Sequence, residues 1–181
     1  MSPRQQAPLS TEYILLGLAA RGPVHGYDLH KQLGTLDGLS AIWRVKQSQV
    51  YALLDKLENM GYLQGEAVPG TAAVLRKQYH LTDAGRRAFD AWMNSPVQHP
   101  RQMRQEFLAR FYFAQQSGVP VTRQLIDAQY AACQSWQKSI RDALERSEAP
   151  LNFQRVVDAY RLNQINAMRD WLDQCRTTLL P

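Results

Sequence analysis

The sequence predicts a mainly α-helical protein with one small β-hairpin, divided into two domains over residues 1–95 and 96–181. Three observations carry this. Apolar residues recur at spacings of three and four along most of the chain, the period of a helix with one buried face. The period drops to two only once, around the turn signal Pro69-Gly70-Thr71. The Pro-bounded stretch Pro96–Pro100 separates this mixed region from one with almost no strand signal.

Residues 1–8 are polar with two prolines and read as a loose arm. Ser10 can cap a first helix, with Glu12 in its first turn. Its body, Tyr13 to Ala20, is apolar nearly all round, which makes it central in its domain. Arg21-Gly22-Pro23 stops it. Val24-His25-Gly26-Tyr27 opens a second helix, Tyr27 to Leu33, with Tyr27, Leu29 and Leu33 inward and Gly34 at its end. Residues 35–44 read as a linker. A third helix runs from Lys46 to Met60 and ends at Gly61; Val50, Leu53, Leu54 and Leu57 share its apolar face. Tyr62 to Val68 is weakly strand-like. From Val74 to Leu81 the pattern alternates, Leu75, Tyr79 and Leu81 on one side and Arg76, Gln78 and His80 on the other. Thr82 caps a fourth helix through Ala88, Phe89, Trp92 and Met93.

The second domain reads as helices over Arg104–Gln116, Thr122–Ser147 and Phe153–Leu180. The last two form an antiparallel hairpin turning near Ala149. Its seams are Ile126, Cys133, Trp136, Ile140 and Leu144 on one helix, and Val156, Val157, Tyr160, Gln164, Ala167, Trp171 and Cys175 on the other. Helices of about 40 Å each cannot bury such stripes within one copy. A homodimer is the simplest way to cover them. The turn sets residue 136 opposite about residue 162 and residue 171 opposite about residue 127, so Trp136 and Trp171 are expected far apart in one chain.

Composition narrows the class. Net charge is +5 with a pI near 9.4, compatible with a polyanionic partner. The charge is spread evenly: 10 Lys/Arg against 8 Asp/Glu in residues 1–95, and 11 against 8 in residues 96–181. Any electrostatic footprint must come from local placement. Two cysteines make no disulfide framework. No stretch has the roughly 20 apolar residues of a membrane span, and no apolar run precedes Leu9 as a secretory signal would require. A reduced, cytoplasmic protein with no membrane partner is expected. The four histidines are scattered, and neither a metal-ligand spacing nor a phosphate loop or nucleophile elbow is present. No metal, no cofactor and no enzymatic activity are therefore expected.

Three helices followed by a two-stranded hairpin describe a winged helix-turn-helix. In such a domain the third helix enters a DNA groove and the hairpin, the wing, lies on the backbone beside it. The outer face of the third helix begins short, polar and uncharged, suited to hydrogen-bonding base edges. Its second half carries Asp55 and Glu58, which repel phosphate. Gln47, Ser48 and Gln49 are thus candidates for base contacts, with Ala52 beside them, Tyr51 and Lys56 on the flanks, and Arg76 and Lys77 on the wing for phosphates. Lys77 lies on the apolar side of its strand, but its long stem can carry the charge to the edge.

The chain resembles the PadR family of bacterial transcriptional regulators in the run Gly22-Pro23-Val24-His25-Gly26-Tyr27-Asp28-Leu29, in the run from Ser48 to Leu63, and in Arg76-Lys77-Gln78-Tyr79-His80-Leu81-Thr82-Asp83-Ala84-Gly85-Arg86. A weaker match follows over Arg104–Phe113. The order and spacing of the first three blocks make the resemblance specific over residues 9–87. It departs at Lys46, where the family often has a capping Ser or Thr, and at Gly70-Thr71-Ala72-Ala73, a wing tip without the basic residues common in relatives. The resemblance implies a homodimer held by the C-terminal helices, bound to an inverted repeat in double-stranded DNA, and acting as a repressor. In some relatives an aromatic compound binds the dimer surface. Trp136, Tyr160 and Trp171 are the corresponding effector candidates here, against plain core packing. The competing reading is a winged-helix scaffold that binds protein and reads no DNA.

Overall fold

In the computed structural model, which describes residues 10–35, 40, 43, 45–69, 75–146 and 152–178, helix α1 (Ser10–Ala19) forms the centre of the N-terminal unit. Ile14, Leu15, Leu16 and Leu18 are completely buried, as the all-round apolar sequence requires. Strand β1 (Val24–His25) leads into α2 (Gly26–Thr35), and α2 packs on α3 (Gln47–Asn59). Leu29 and Leu33 of α2 face Val50, Leu54 and Leu57 of α3 in the core. Gly61, with φ of 71°, turns the chain out of α3. Strands β2 (Leu63–Pro69) and β3 (Leu75–Leu81) pair antiparallel, with Leu63 opposite Leu81 and Ala67 opposite Lys77. Helix α4 (Asp83–Met93) closes the unit against α1, where Trp92 stacks on Tyr13 at 5.0 Å between centroids. Thr82 caps α4 as expected. Its Oγ1 accepts the Gly85 N–H at 3.0 Å and donates to the Gly61 carbonyl at 2.7 Å.

Two expectations for this unit need correction. The sheet has three strands in the order β1-β3-β2, since Val24 and His25 pair with Tyr79 and Gln78. Two residues are too few to show a period, so β1 was absorbed into the start of a helix. Tyr27 is not a core residue: it is 59% exposed, and Gly26, Leu29 and Leu33 make the buried side of α2. The helix also continues through Gly34 to Thr35. The wing tip, residues 70–74, lies outside the described residues.

The C-terminal unit contains a 3₁₀ turn (Pro100–Arg104), α5 (Glu106–Gln116), α6 (Val119–Arg146) and α7 (Phe153–Thr178). The division of the chain falls between Met93 and Asn94. Helices α6 and α7 run antiparallel, joined by side-chain bonds from Gln137 to Asn166, Arg169 to Tyr130 and Arg176 to Asp127. The expected linker 96–100 is anchored, not loose. Val97 is buried and its N–H donates to Gln129 Oε1 at 2.8 Å, while the buried Arg110 guanidinium donates to Ser95 Oγ at 2.8 Å and to the Pro96 carbonyl.

The α7 seam is also corrected. Ile165, Leu172 and Cys175, with Asp158, face inward, against Leu125, Ile126, Gln129 and Cys133 of α6. The stripe expected at Val156, Tyr160, Gln164 and Ala167 is turned outward, with Val156 51% and Tyr160 62% exposed. Apolar residues occupy two sides of α7, and periodicity cannot choose which side meets α6. Among the described residues no helix is long and apolar enough to cross a membrane.

Candidate nucleic-acid interface

Helix α3 begins without a side-chain acceptor at its N-cap. Lys46 has extended backbone (φ −71°, ψ 149°), and the ammonium of its side chain cannot accept an N–H. Half of a capping box is present instead: Gln49, at the third helical position, reaches back so that its Oε1 accepts the Lys46 N–H at 3.0 Å. Gln47, Ser48 and Gln49 are all exposed in the first turn, which holds no acidic residue. The unpaired N–H groups and partial positive charge of this helix end face the same solvent.

Ala52 is exposed one turn further on, and so is Tyr51 at 41%. The Tyr51 ring lies over Gly26: a Cβ on Gly26 would sit 2.6 Å from Tyr51 Cε1 and 3.2 Å from Leu54 Cδ1. Packing therefore fixes the ring while leaving its edge in solvent. Core-edge packing and contact from the helix flank are both compatible with this placement of Tyr51.

The charged candidates are distributed differently. Lys56 Nζ is 2.7 Å from Glu12 Oε1, and that carboxylate is completely buried under α3 in the first turn of α1. Lys77 pairs with Glu58 near the end of α3, and its ammonium also lies 5.3 Å from the Tyr79 ring centroid. The hydrogen bond that its ammonium donates to Glu58 raises the Lys77 pKa above its ordinary value. Both lysines thus have carboxylate partners within the domain. Arg76 is exposed, and alternation along β3 sends it to the face opposite Lys77. Gln47, Ser48, Gln49, Tyr51 and Ala52 are all exposed on the first two turns of α3, and Arg76 is exposed on β3. Tyr27 was missed as a surface candidate. It follows Gly26, which Tyr51 covers, and stands two and six residues from Leu29 and Leu33, off the face those two share, so helical spacing itself points it outward.

In the C-terminal unit, a cavity of about 1200 Å³ is lined by Trp136 and Trp171 together with Ile165, Arg101, Arg104 and Arg161. The two indoles thus share one cavity, contrary to the separation expected. The helices pair about one turn away from the assumed register, and the cavity runs along them. Trp171 is held at its edges by Phe107 and Phe111, with centroids 6.0 and 5.9 Å away. Tyr160 lies outside the cavity lining, and its phenol accepts a hydrogen bond from Gln164 at 2.7 Å. Cys133 and Cys175 are free and buried, and burial raises both thiol pKa values, which keeps them protonated and poorly nucleophilic.

A three-helix core with a three-stranded antiparallel sheet, whose two long strands follow the third helix, and with the N-terminal end of that helix open to solvent, defines a winged helix-turn-helix protein. Residues 15–91, within the N-terminal unit, match the model of the transcriptional regulator PadR-like family. A curated relative, the negative transcriptional regulator PadR of Bacillus subtilis (strain 168), is 29% identical over 102 residues, 56% of this chain and 55% of the relative. The match thus spans about half the relative's length. Among solved structures, Bacillus subtilis PadR in complex with operator DNA is similar with a TM-score of 0.47 and 24% identity, covering 91% of this chain and 96% of that one. The same protein in complex with p-coumaric acid has a TM-score of 0.42 and 23% identity, covering 91% and 92%.

Proposed function

We propose that the protein is a sequence-specific DNA-binding repressor that acts as a homodimer on an inverted repeat and is released by a small aromatic ligand. The observation that carries this reading is the exposed, uncharged first turn of α3, where Gln47, Ser48 and Gln49 stand beside Ala52 and Tyr51. Amides and a hydroxyl on a helix end are the groups that read base edges in a major groove. Arg76 supplies a phosphate contact on the wing. The curated relative is a negative regulator, which supports repression. The outward stripe of Phe153, Val156 and Tyr160 on α7 supports a second copy as the partner of the C-terminal unit. The Trp136–Trp171 cavity suits a flat aromatic guest, and its three arginines favour one that carries an acid group. A regulator in a PadR-like family needs no catalysis, and its work is in the cytoplasm.

The test is selection of bound fragments from a random duplex library with the intact protein. An enriched inverted repeat is expected, bound with an affinity that falls as salt rises. Failure to enrich any sequence, or binding indifferent to salt, would overturn DNA readout and favour the protein-binding scaffold.

A further inference from the structure

Glu58 stands in the last turn of α3 and would be expected, on charge alone, to disfavour DNA. Its two oxygens are both engaged with the wing. Oε1 accepts the backbone N–H of Gly65 on β2 at 3.2 Å, and Oε2 pairs with Lys77 Nζ on β3. Lys77 is in turn tied to the third strand, since its carbonyl oxygen lies 3.1 Å from His25 Nδ1 on β1. One carboxylate therefore links the end of the recognition helix to both long strands of the sheet. The space for this link is set by Gly65. A Cβ there would lie 2.3 Å from Lys77 Cε and 2.6 Å from Glu58 Oε1, so no side chain fits while the bridge is formed. Asp55, one turn earlier on α3, and Tyr79, beneath the Lys77 ammonium, are the other titratable groups that act on this lysine.

We propose that Glu58, with Lys77 as its partner and Gly65 as the gap it occupies, is a positioning residue for DNA binding: it locks the angle between α3 and the wing, so that Arg76 meets the backbone when the N-terminal end of α3 is in the groove. This rests on the DNA-binding function proposed above. Lys77 then acts through Glu58 and contributes no phosphate contact of its own, in contrast to its expected role. The arrangement reverses the sign of a simple charge argument. Removing an anion from a DNA-binding face should tighten binding if the anion is a bystander, whereas removing this one frees the wing and weakens it.

The experiment compares wild type, Glu58→Gln, Lys77→Met and the double variant, all in the intact protein, on a duplex selected by the wild type. Each single variant is expected to lose about tenfold in affinity, and the double variant about the same as either single one, because both break one link. The salt slope of Lys77→Met should stay at the wild-type value, since no phosphate contact is lost. Unchanged or tighter binding by Glu58→Gln, additive losses, or a slope reduced by about one in Lys77→Met would overturn the proposal. Failure of the wild type to select any duplex would instead count against the DNA-binding function. Hydrogen exchange tests the link without DNA. Glu58→Gln and Lys77→Met should both speed exchange along residues 65–68 and 75–77 while leaving α1 unchanged. Equal protection of those amides in all variants would also overturn it.

Discussion

Gln49 meets two demands with one amide. Its oxygen caps the start of α3 by accepting the Lys46 N–H, and its NH₂ remains to face a groove. Gln49→Ala is expected to cost about 1–3 kcal/mol on the selected operator and much less on a scrambled duplex, if the amide reads a base. Equal losses on both duplexes in a titration would reduce Gln49 to a capping and backbone role. Gly26 is the other residue whose size decides something. Its missing Cβ lets α2 approach α3 under the Tyr51 ring, which the sequence made legible through the Gly26-Tyr27 step of the family motif. Gly26→Ala should destabilise the protein by about 1–3 kcal/mol through overpacking. Adding Tyr51→Leu should recover part of that loss in thermal or denaturant unfolding. A neutral Gly26→Ala would mean that the two helices can separate at no cost. Tyr27, by contrast, is read as inward from residue type alone: it stands two and six residues from Leu29 and Leu33, off the buried face of Gly26, Leu29 and Leu33, and is 59% exposed.

At the scale of elements, the wing was half legible. Alternation in β3 separated Arg76 from Lys77 and put Tyr79 inside, where it is 2% exposed. What alternation does not carry is the identity of a partner across 19 residues, so Lys77 and Lys56 looked like groups for phosphate. In the fold they neutralise Glu58 and the buried Glu12. Burying a carboxylate such as Glu12 without a cation nearby is costly, so Lys56 is committed first to the protein. Arg76, exposed on β3, is the wing residue proposed to contact phosphate. Arg76→Ala should weaken binding to all sequences alike and lower the salt slope by about one. A slope equal to that of the wild type, measured over a salt series, would take this strand off the DNA.

The whole molecule joins a winged helix-turn-helix unit to a helical unit in which α7 offers apolar residues on two sides. One side, through Ile165 and Leu172, is satisfied by α6; the other leaves Phe153 82% exposed. A homodimer that covers the second side should sediment at twice the chain mass at micromolar concentration, and Phe153→Glu with Tyr160→Glu should shift it toward the monomer. A wild-type protein with the mass of one chain would remove the dimer. Release by a ligand requires that the guest bind one spacing of the two DNA-reading units better than another, since equal binding shifts nothing. At the usual coupling of about 1–3 kcal/mol, operator affinity would fall roughly 5–150-fold. Tryptophan fluorescence against a panel of aromatic acids, repeated in Trp136→Phe, Trp171→Phe and the double variant, checks the cavity. Quenching that survives both substitutions together, or appears with no compound, would leave the two indoles as packing.

By itself the sequence determined the helical class, the winged helix-turn-helix order, the cap at Thr82, the exposed polar start of α3 and the likeness of its N-terminal unit to the PadR-like family, because each is written in local periodicity or in a motif of fixed spacing. Only the tertiary structure decided the third strand at Val24–His25, the partners of Lys56 and Lys77, the side of α7 that meets α6, and the meeting of Trp136 and Trp171 in one cavity. The physical reason is common to all four. Periodicity fixes which face of an element is apolar, but not which of two available faces is covered or which distant charge lies across the gap. Those are settled when elements pack, by the space that Gly26 and Gly65 leave open and by the need to pair buried groups such as Glu12.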